Sequence, residues 1–142
     1  MSTTEKTAIT VEATVKSRVE VVWKLWTEPR HIKNWYNASE DWYVPYAEND
    51  LRVNGKFKTT MASKDDDDRF DFEGVYTRIE ENKLIEYHIN DNRKVKVVFS
   101  GDGKETKITE TFELENIHPI KKQRSGWQSI LDNFKKYVEA YR

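Results

Sequence analysis

Glu110 shares a strand face with Ile108, Phe112 and Leu114, whereas Thr109 and Thr111 point the other way. A carboxyl on an apolar face loses hydration. That disfavours its ionised form and raises its pKa, unless a cation or hydroxyl such as Arg78 or a tyrosine reaches it. Such a group can orient a polar atom of a bound molecule, or work with a tyrosine as an acid and base pair. An exposed edge position or a structural ion pair is the commoner fate of a strand glutamate, and is the expectation from sequence.

The other residues capable of chemistry suggest less. His31, His88 and His118 have no second metal-type ligand at helical or hairpin spacing, and all three are expected at the surface. Asp65 to Asp68 lack the interleaved spacing, the glycine and the distal glutamate of a calcium loop, so four adjacent carboxylates read as a solvated turn. Asp50 and Arg52 are two residues apart and should pair with each other or with cross-strand neighbours. There is no GxSxG, no phosphate-cradling glycine loop and no Ser, His, Asp set. The absence of cysteine removes disulfides, thiol catalysis and thiolate metal sites. The expectation is a protein without catalysis, metal or cofactor.

These residues sit in a chain of 142, a length that suits one domain over 1–142, with 1–6 expected to be flexible. Hydrophobic content is 37% against 35% charged, and it is the 13% of aromatic residues that supplies enough apolar volume for a core. Balanced charge, net -1, argues against a nucleic-acid partner, and the basic group Lys121, Lys122, Arg124 reads as the solvated start of a helix. Met1 to Lys6 has no apolar leader, and no apolar run approaches the roughly 20 residues of a membrane span. A cytoplasmic monomer with no membrane partner is expected.

Periodicity orders the elements. Ile9, Val11, Ala13 and Val15 alternate with polar residues as a strand. Ser17 and Glu20 stand at capping-box spacing before a helical stripe of Val19, Val22, Trp23 and Trp26. Pro29 ends that helix and opens another, with Ile32, Trp35 and Tyr36 inward. From Asn37 to Asn49 the pattern dissolves into an aromatic loop, a candidate lid or rim. Asn54 and Gly55 signal a type I′ hairpin, after which Phe57, Thr59 and Met61 share a face. Phe70 and Phe72 have one parity, and Val75, Thr77 and Ile79 the other, so Gly74 marks a bulge or a close backbone approach. Further strands are expected around Leu84 to Ile89, Lys94 to Phe99 and Thr106 to Leu114. Trp127, Ile130, Leu131, Phe134, Val138 and Tyr141 then lie on one face of a helix spanning Pro119 to Arg142.

The predicted fold is therefore α+β: one long C-terminal helix against an antiparallel sheet of six to seven strands, with two short helices after the first strand. A helix is roughly 10–12 Å across, whereas seven strands at about 4.8 Å span roughly 34 Å. The sheet must curl around the helix, and curling tends to enclose space.

This order, with Val19 to Trp26, Pro29 and Trp35, then Asp50 to Gly55, then Phe72, Gly74 and Tyr76, then Gly126 and Trp127, resembles the SRPBCC or START-like superfamily of helix-grip folds. Within it, the chain is most similar to the bacterial family related to the C-terminal domain of the activator of heat-shock-protein ATPase. The resemblance implies a cavity between sheet and long helix that holds a hydrophobic small molecule, lipid-like or aromatic, often without catalysis. A chaperone-regulating module is a second implication, and a cyclase- or hydrolase-like enzyme using Glu110 a third.

The residues expected to line such a cavity are Trp26 and Trp35 from the short helices, Phe57, Met61, Phe72, Tyr76, Tyr87, Phe99 and Glu110 from the strands, and Trp127, Leu131 and Phe134 from the long helix. For the helix residues, plain core packing stands as an equal reading. Gly126 costs its helix about 1 kcal/mol against alanine. Close packing on a strand is its expected reason, room for a ligand the other.

Overall fold

Among the described residues, alternation with period two builds seven strands, and stripes with period 3.6 build three helices. The computed structural model describes residues 7–37, 39–65, 68–89 and 91–141. In chain order these are β1 (Ala8–Val15), α1 (Val19–Thr27), α2 (Pro29–Trp35), β2 (Trp42–Asn49), β3 (Lys56–Ser63), β4 (Arg69–Glu80), β5 (Leu84–Ile89), β6 (Lys94–Gly101), β7 (Thr106–Glu113) and α3 (Ile120–Ala140). Met1–Lys6, expected to be flexible, lie outside the described residues, as do Asp66 and Asp67 of the acidic turn.

All neighbouring strands are antiparallel, in the order β1-β7-β6-β5-β4-β3-β2. β1 and β2 follow each other in sequence yet form opposite edges, so α1 and α2 must carry the chain from one edge to the other. The sheet curls around α3, helped by register shifts in β2 between Tyr43 and Tyr46 and in β4 between Tyr76 and Arg78. This is the helix-grip architecture expected.

α3 also closes the exposed edge at β1. Gln128 donates to the Glu12 carbonyl at 3.1 Å, Lys135 to the Thr14 carbonyl at 2.7 Å, and Arg124 to the Thr10 carbonyl at 3.4 Å. These side chains occupy carbonyls that an edge strand would otherwise offer to another chain. At the helix's other side, Asn133 donates to the Trp35 carbonyl at 2.9 Å and so ties α3 to the end of α2.

Four local expectations are corrected. The helix after β1 starts at Val19 with Arg18 as its cap residue and no side-chain cap bond, so Ser17 stands one residue too early for a capping box; its carbonyl instead accepts the Thr106 hydroxyl at 2.9 Å. The Asn37 to Asn49 segment is not all loop, because Trp42–Asn49 is an edge strand. Its alternation is blurred where the register shift spans Val44 and Pro45, a place where an edge strand tolerates proline. The β2–β3 connection is accordingly longer than a two-residue hairpin. Only Asn54 has positive φ, 71°, and Gly55 is required for another reason: a Cβ there would lie 2.1 Å from the Asp50 carbonyl oxygen. Finally, the parity change in β4 occurs at the shift after Tyr76 and not at Gly74. At Gly74 the other expected alternative holds, a close backbone approach: a Cβ would stand 2.5 Å from the His88 carbonyl oxygen and 2.6 Å from the ring of Phe57, its cross-strand partner.

Candidate ligand-binding site

The two halves of α3 meet different surroundings. Leu131 and Phe134 have no solvent exposure and pack with Trp35, Leu25, Ile85, Val97 and Ile108 in the core. Phe134 makes edge contacts with Trp26 at 4.8 Å and Trp35 at 4.6 Å between ring centres, and the Trp35 indole donates to the Leu25 carbonyl at 3.0 Å. The N-terminal half of α3 is less covered. Gly126, Trp127 and Ile130 there face Trp26, Tyr36, Trp42, Met61, Phe70 and Phe72 across a cavity of about 390 Å³. A side arm of about 40 Å³ shares Trp26, Tyr36 and Phe72 and adds Phe57, Tyr76 and Tyr87. Depressions of about 480 and 560 Å³ elsewhere are lined largely by polar and charged side chains such as Lys94, Lys96 and Glu86, or Glu20, Lys24 and Glu81. Their walls suit water better than an apolar ligand.

The aromatic walls of the main cavity are held by one another. Trp127 stacks on Phe112, with ring centres 4.3 Å apart and planes 7° from parallel, and meets the edge of Phe72 at 6.0 Å. Trp42 meets Phe70 at 5.7 Å. Gln123 folds the connection before α3 into place: its amide donates to the carbonyls of Glu115 at 3.1 Å and His118 at 2.7 Å, and its carbonyl accepts the Glu115 backbone N–H at 3.0 Å.

Glu110 is in the wall of this cavity and only 4% exposed. It lies mid-strand between Val11 of β1 and Val97 of β6, so the expected edge position and ion pair are both overturned. Arg78, its suggested partner, instead pairs with Glu80 and Glu86. Among the described residues no hydrogen bond or ion pair reaches the carboxyl. Burial pushes its pKa up to about 8. Burial likewise raises the phenols of Tyr36 and Tyr87 well above their ordinary range, with the Glu110 charge adding to the effect in both. At the outer end stand His118, Lys122, Glu115 and Arg93. Glu115 engages His118 at 2.6 Å and Arg93 engages Asp91 at 2.7 Å.

The fold and the sequence agree with one family. Residues 16–139 match the family model described as Activator of Hsp90 ATPase homolog 1-like protein. The chain belongs to this family. The solved structure of the AHSA1-like protein from Aeromonas hydrophila is 41% identical, covers 94% of this chain and 93% of its own, and superposes with a TM-score of 0.89. Chr148 from Cytophaga hutchinsonii is 53% identical over 92% of this chain and 91% of its own, with a TM-score of 0.80. CV1439 from Chromobacterium violaceum, at 17% identity over 95% and 99% with a TM-score of 0.84, shares the fold. No curated protein matches the chain. Family and fold together make this, at a coarse level, a START-like ligand-binding domain.

Within this member of the Activator of Hsp90 ATPase homolog 1-like family, the sequence-derived wall divides. Trp26, Met61, Phe72, Glu110 and Trp127 line the main cavity, and Phe57, Tyr76 and Tyr87 line its side arm. Trp35, Phe99, Leu131 and Phe134 do not; they are packed into the core, because α1 and α2 cover that end of the interior. The Tyr76 hydroxyl is engaged structurally, donating to Asn49, whose amide donates to the Thr27 carbonyl at 2.6 Å.

Other expectations fare unevenly. Nothing lies within 4 Å of a Cβ built on Gly126, so close packing is not its reason; it borders the cavity. His31 is buried, against expectation, with its Nδ1 2.7 Å from the Tyr137 hydroxyl, and burial with the neighbouring Arg30 lowers its pKa. His88 is half-buried on the outer face, and His118 is exposed. Asp50 and Arg52 do pair, at 2.9 Å. Sequence reasoning missed Tyr36 and, beyond its place in a candidate lid or rim, Trp42 as wall residues, along with Phe70 and Ile130, and it missed Arg93, Glu115, His118, Lys122 and Gln123 as the polar rim. The aromatic density from Trp35 to Tyr46 was the available signal for the first two; the rim depends on how the turn at 91–93 and the connection at 114–119 converge, which no local pattern records.

Among the described residues, no group of His, Cys, Asp and Glu is arranged to hold a metal ion, and no helix is long and apolar enough to cross a membrane.

Proposed function

We propose that this domain binds a hydrophobic small molecule with an aromatic or lipid-like body between the sheet and the N-terminal half of α3, and that it does so without catalysing a reaction. The observation that supports this most is the cavity of about 390 Å³ walled by Trp26, Tyr36, Trp42, Phe72 and Trp127. Its size falls in the range of small-molecule sites, roughly 300–1,000 Å³, and rings on several sides give an apolar ligand large contact area. Three of the five tryptophans border the space, so the emission spectrum should respond to occupancy. Titration with fatty acids, sterols and flavonoid-like aromatics should give a saturable change for at least one class. An unchanged spectrum across the whole panel would contradict the reading.

The family description supports a second reading, regulation of a chaperone ATPase. Stimulation of a purified Hsp90-type ATPase by this chain would favour it; an unchanged rate at saturating protein would remove it.

A further inference from the structure

Two polar groups in the lining of the aromatic cavity, Glu110 on the inner side and Lys122 on the outer, have no partner among the described residues. On the inner side is Glu110, 4% exposed, flanked in register by Val11 and Val97 and without a hydrogen-bond partner among the described residues. Among the described residues the fully enclosed side-chain atoms without a partner are His31 Nε2 and His88 Nδ1, so the Glu110 oxygens keep contact with the cavity, and a ligand atom bonded to them would take the place of water. Removal from water keeps the carboxyl protonated near neutral pH, so it presents an O–H donor, next to the equally neutral phenols of Tyr36 and Tyr87. On the outer side, Lys122 is exposed and has no ion pair among the described residues, whereas Arg93 is paired with Asp91 and Glu115 with His118.

The two ends discriminate between ligand chemistries. An aromatic box with a carboxyl in it could hold an ammonium ion by cation–π contact. Here that would require ionising Glu110 in the interior, and the unpaired Lys122 in the lining would repel the cation. An acid meets the opposite situation. Glu110 lies three residues before the end of β7, roughly 10 Å of strand, a length that two linked rings match.

We propose that the ligand is an aromatic keto acid: its ketone oxygen accepts a hydrogen bond from the Glu110 carboxyl, its rings fill the space against Trp26, Phe72 and Trp127, and its carboxylate meets Lys122. This rests on the binding function proposed above and adds the ligand's class to it.

Three matched probes test the assignment: 4′-acetylbiphenyl-4-carboxylic acid, 4′-ethylbiphenyl-4-carboxylic acid, in which the ketone is lost, and 4-acetylbiphenyl, in which the acid is lost. Tryptophan emission and calorimetry should show the keto acid binding about tenfold more tightly than the ethyl acid, the worth of one well-made buried hydrogen bond. Glu110→Leu should abolish that preference while still binding the ethyl acid, which also reports an intact cavity, whereas Glu110→Gln, which keeps a donor, should retain much of it. Lys122→Ala should weaken both acids about threefold and leave 4-acetylbiphenyl unchanged. Equal binding of keto and ethyl acids by the natural protein, or a keto preference that survives Glu110→Leu, would overturn the ligand class while leaving a hydrophobic site in place. Failure of all three probes and of the wider panel would overturn the binding function itself, and this inference with it.

Discussion

The C-terminal half of α3 and its N-terminal half carry similar apolar residues to opposite ends. Leu131, Phe134 and Val138 are buried under α1 and α2, where Leu25, Trp35 and Trp26 supply a second helical layer to fill the concave sheet. Trp127 and Ile130 face the same sheet without that layer, and Gly126 withholds a side chain where one would fit. The difference shows that a curled sheet encloses a void only where helices are too few to fill it. The position of α1 and α2, rather than the character of α3, decides which half is core and which is wall.

Truncation should separate the two halves most strongly. Phe134→Ala, which leaves a hole in a filled region, should destabilise by about 3–5 kcal/mol in urea unfolding. Trp127→Ala should cost about half of that, because one side of the ring already borders empty space. Equal losses would mean that the N-terminal half is packed as tightly as the C-terminal half.

A pH series sharpens the comparison next. The folded pKa of Glu110, about 8, lies above the ordinary carboxyl value of 4.5, so the folded state holds this proton more tightly than the unfolded chain. Its contribution to stability is complete below about pH 4.5, declines as pH rises toward 8, and is gone above that. The loss is on the order of 5 kcal/mol at full ionisation. Glu110→Leu should flatten this part of the stability profile and be more stable than the natural protein at pH 9. A profile identical in slope for the two proteins would show that the carboxyl is hydrated in solution.

The smallest effect is expected at Gly126. Gly126→Ala should stabilise α3 by about 1 kcal/mol, since alanine is the better helix former and its Cβ meets no atom within 4 Å. Gly126→Phe should instead fill the cavity and remove ligand binding while the protein still unfolds cooperatively. Destabilisation by the alanine variant would mean that the helix approaches the sheet more closely than described.

Much of this arrangement is legible in the sequence, for reasons that differ by element. β1 and α3 declare themselves because one face of each is apolar along most of its length, giving periods of 2 and 3.6. β2 does not, because an edge strand with a register shift around Pro45 buries only Val44 fully. The odd carboxyl in an apolar face was visible, but its lack of a partner was not, since that depends on Arg78 choosing Glu80 and Glu86 across the sheet. The same limit applies to Trp35 and Phe134: periodicity shows that they face inward, and only the placement of α1 and α2 shows that the inside is filled there.

The two-sided interior can be tested directly through the five tryptophan indole N–H resonances in a heteronuclear NMR titration with 4′-acetylbiphenyl-4-carboxylic acid. The account predicts shifts for the indoles of Trp26, Trp42 and Trp127 and for the amide of Gly126, with Trp23 and Trp35 unmoved; the Trp35 N–H, bonded to the Leu25 carbonyl, should also be protected from exchange. Shifts centred on Trp23 and Trp35, or none at Trp127 while the probe binds, would contradict it.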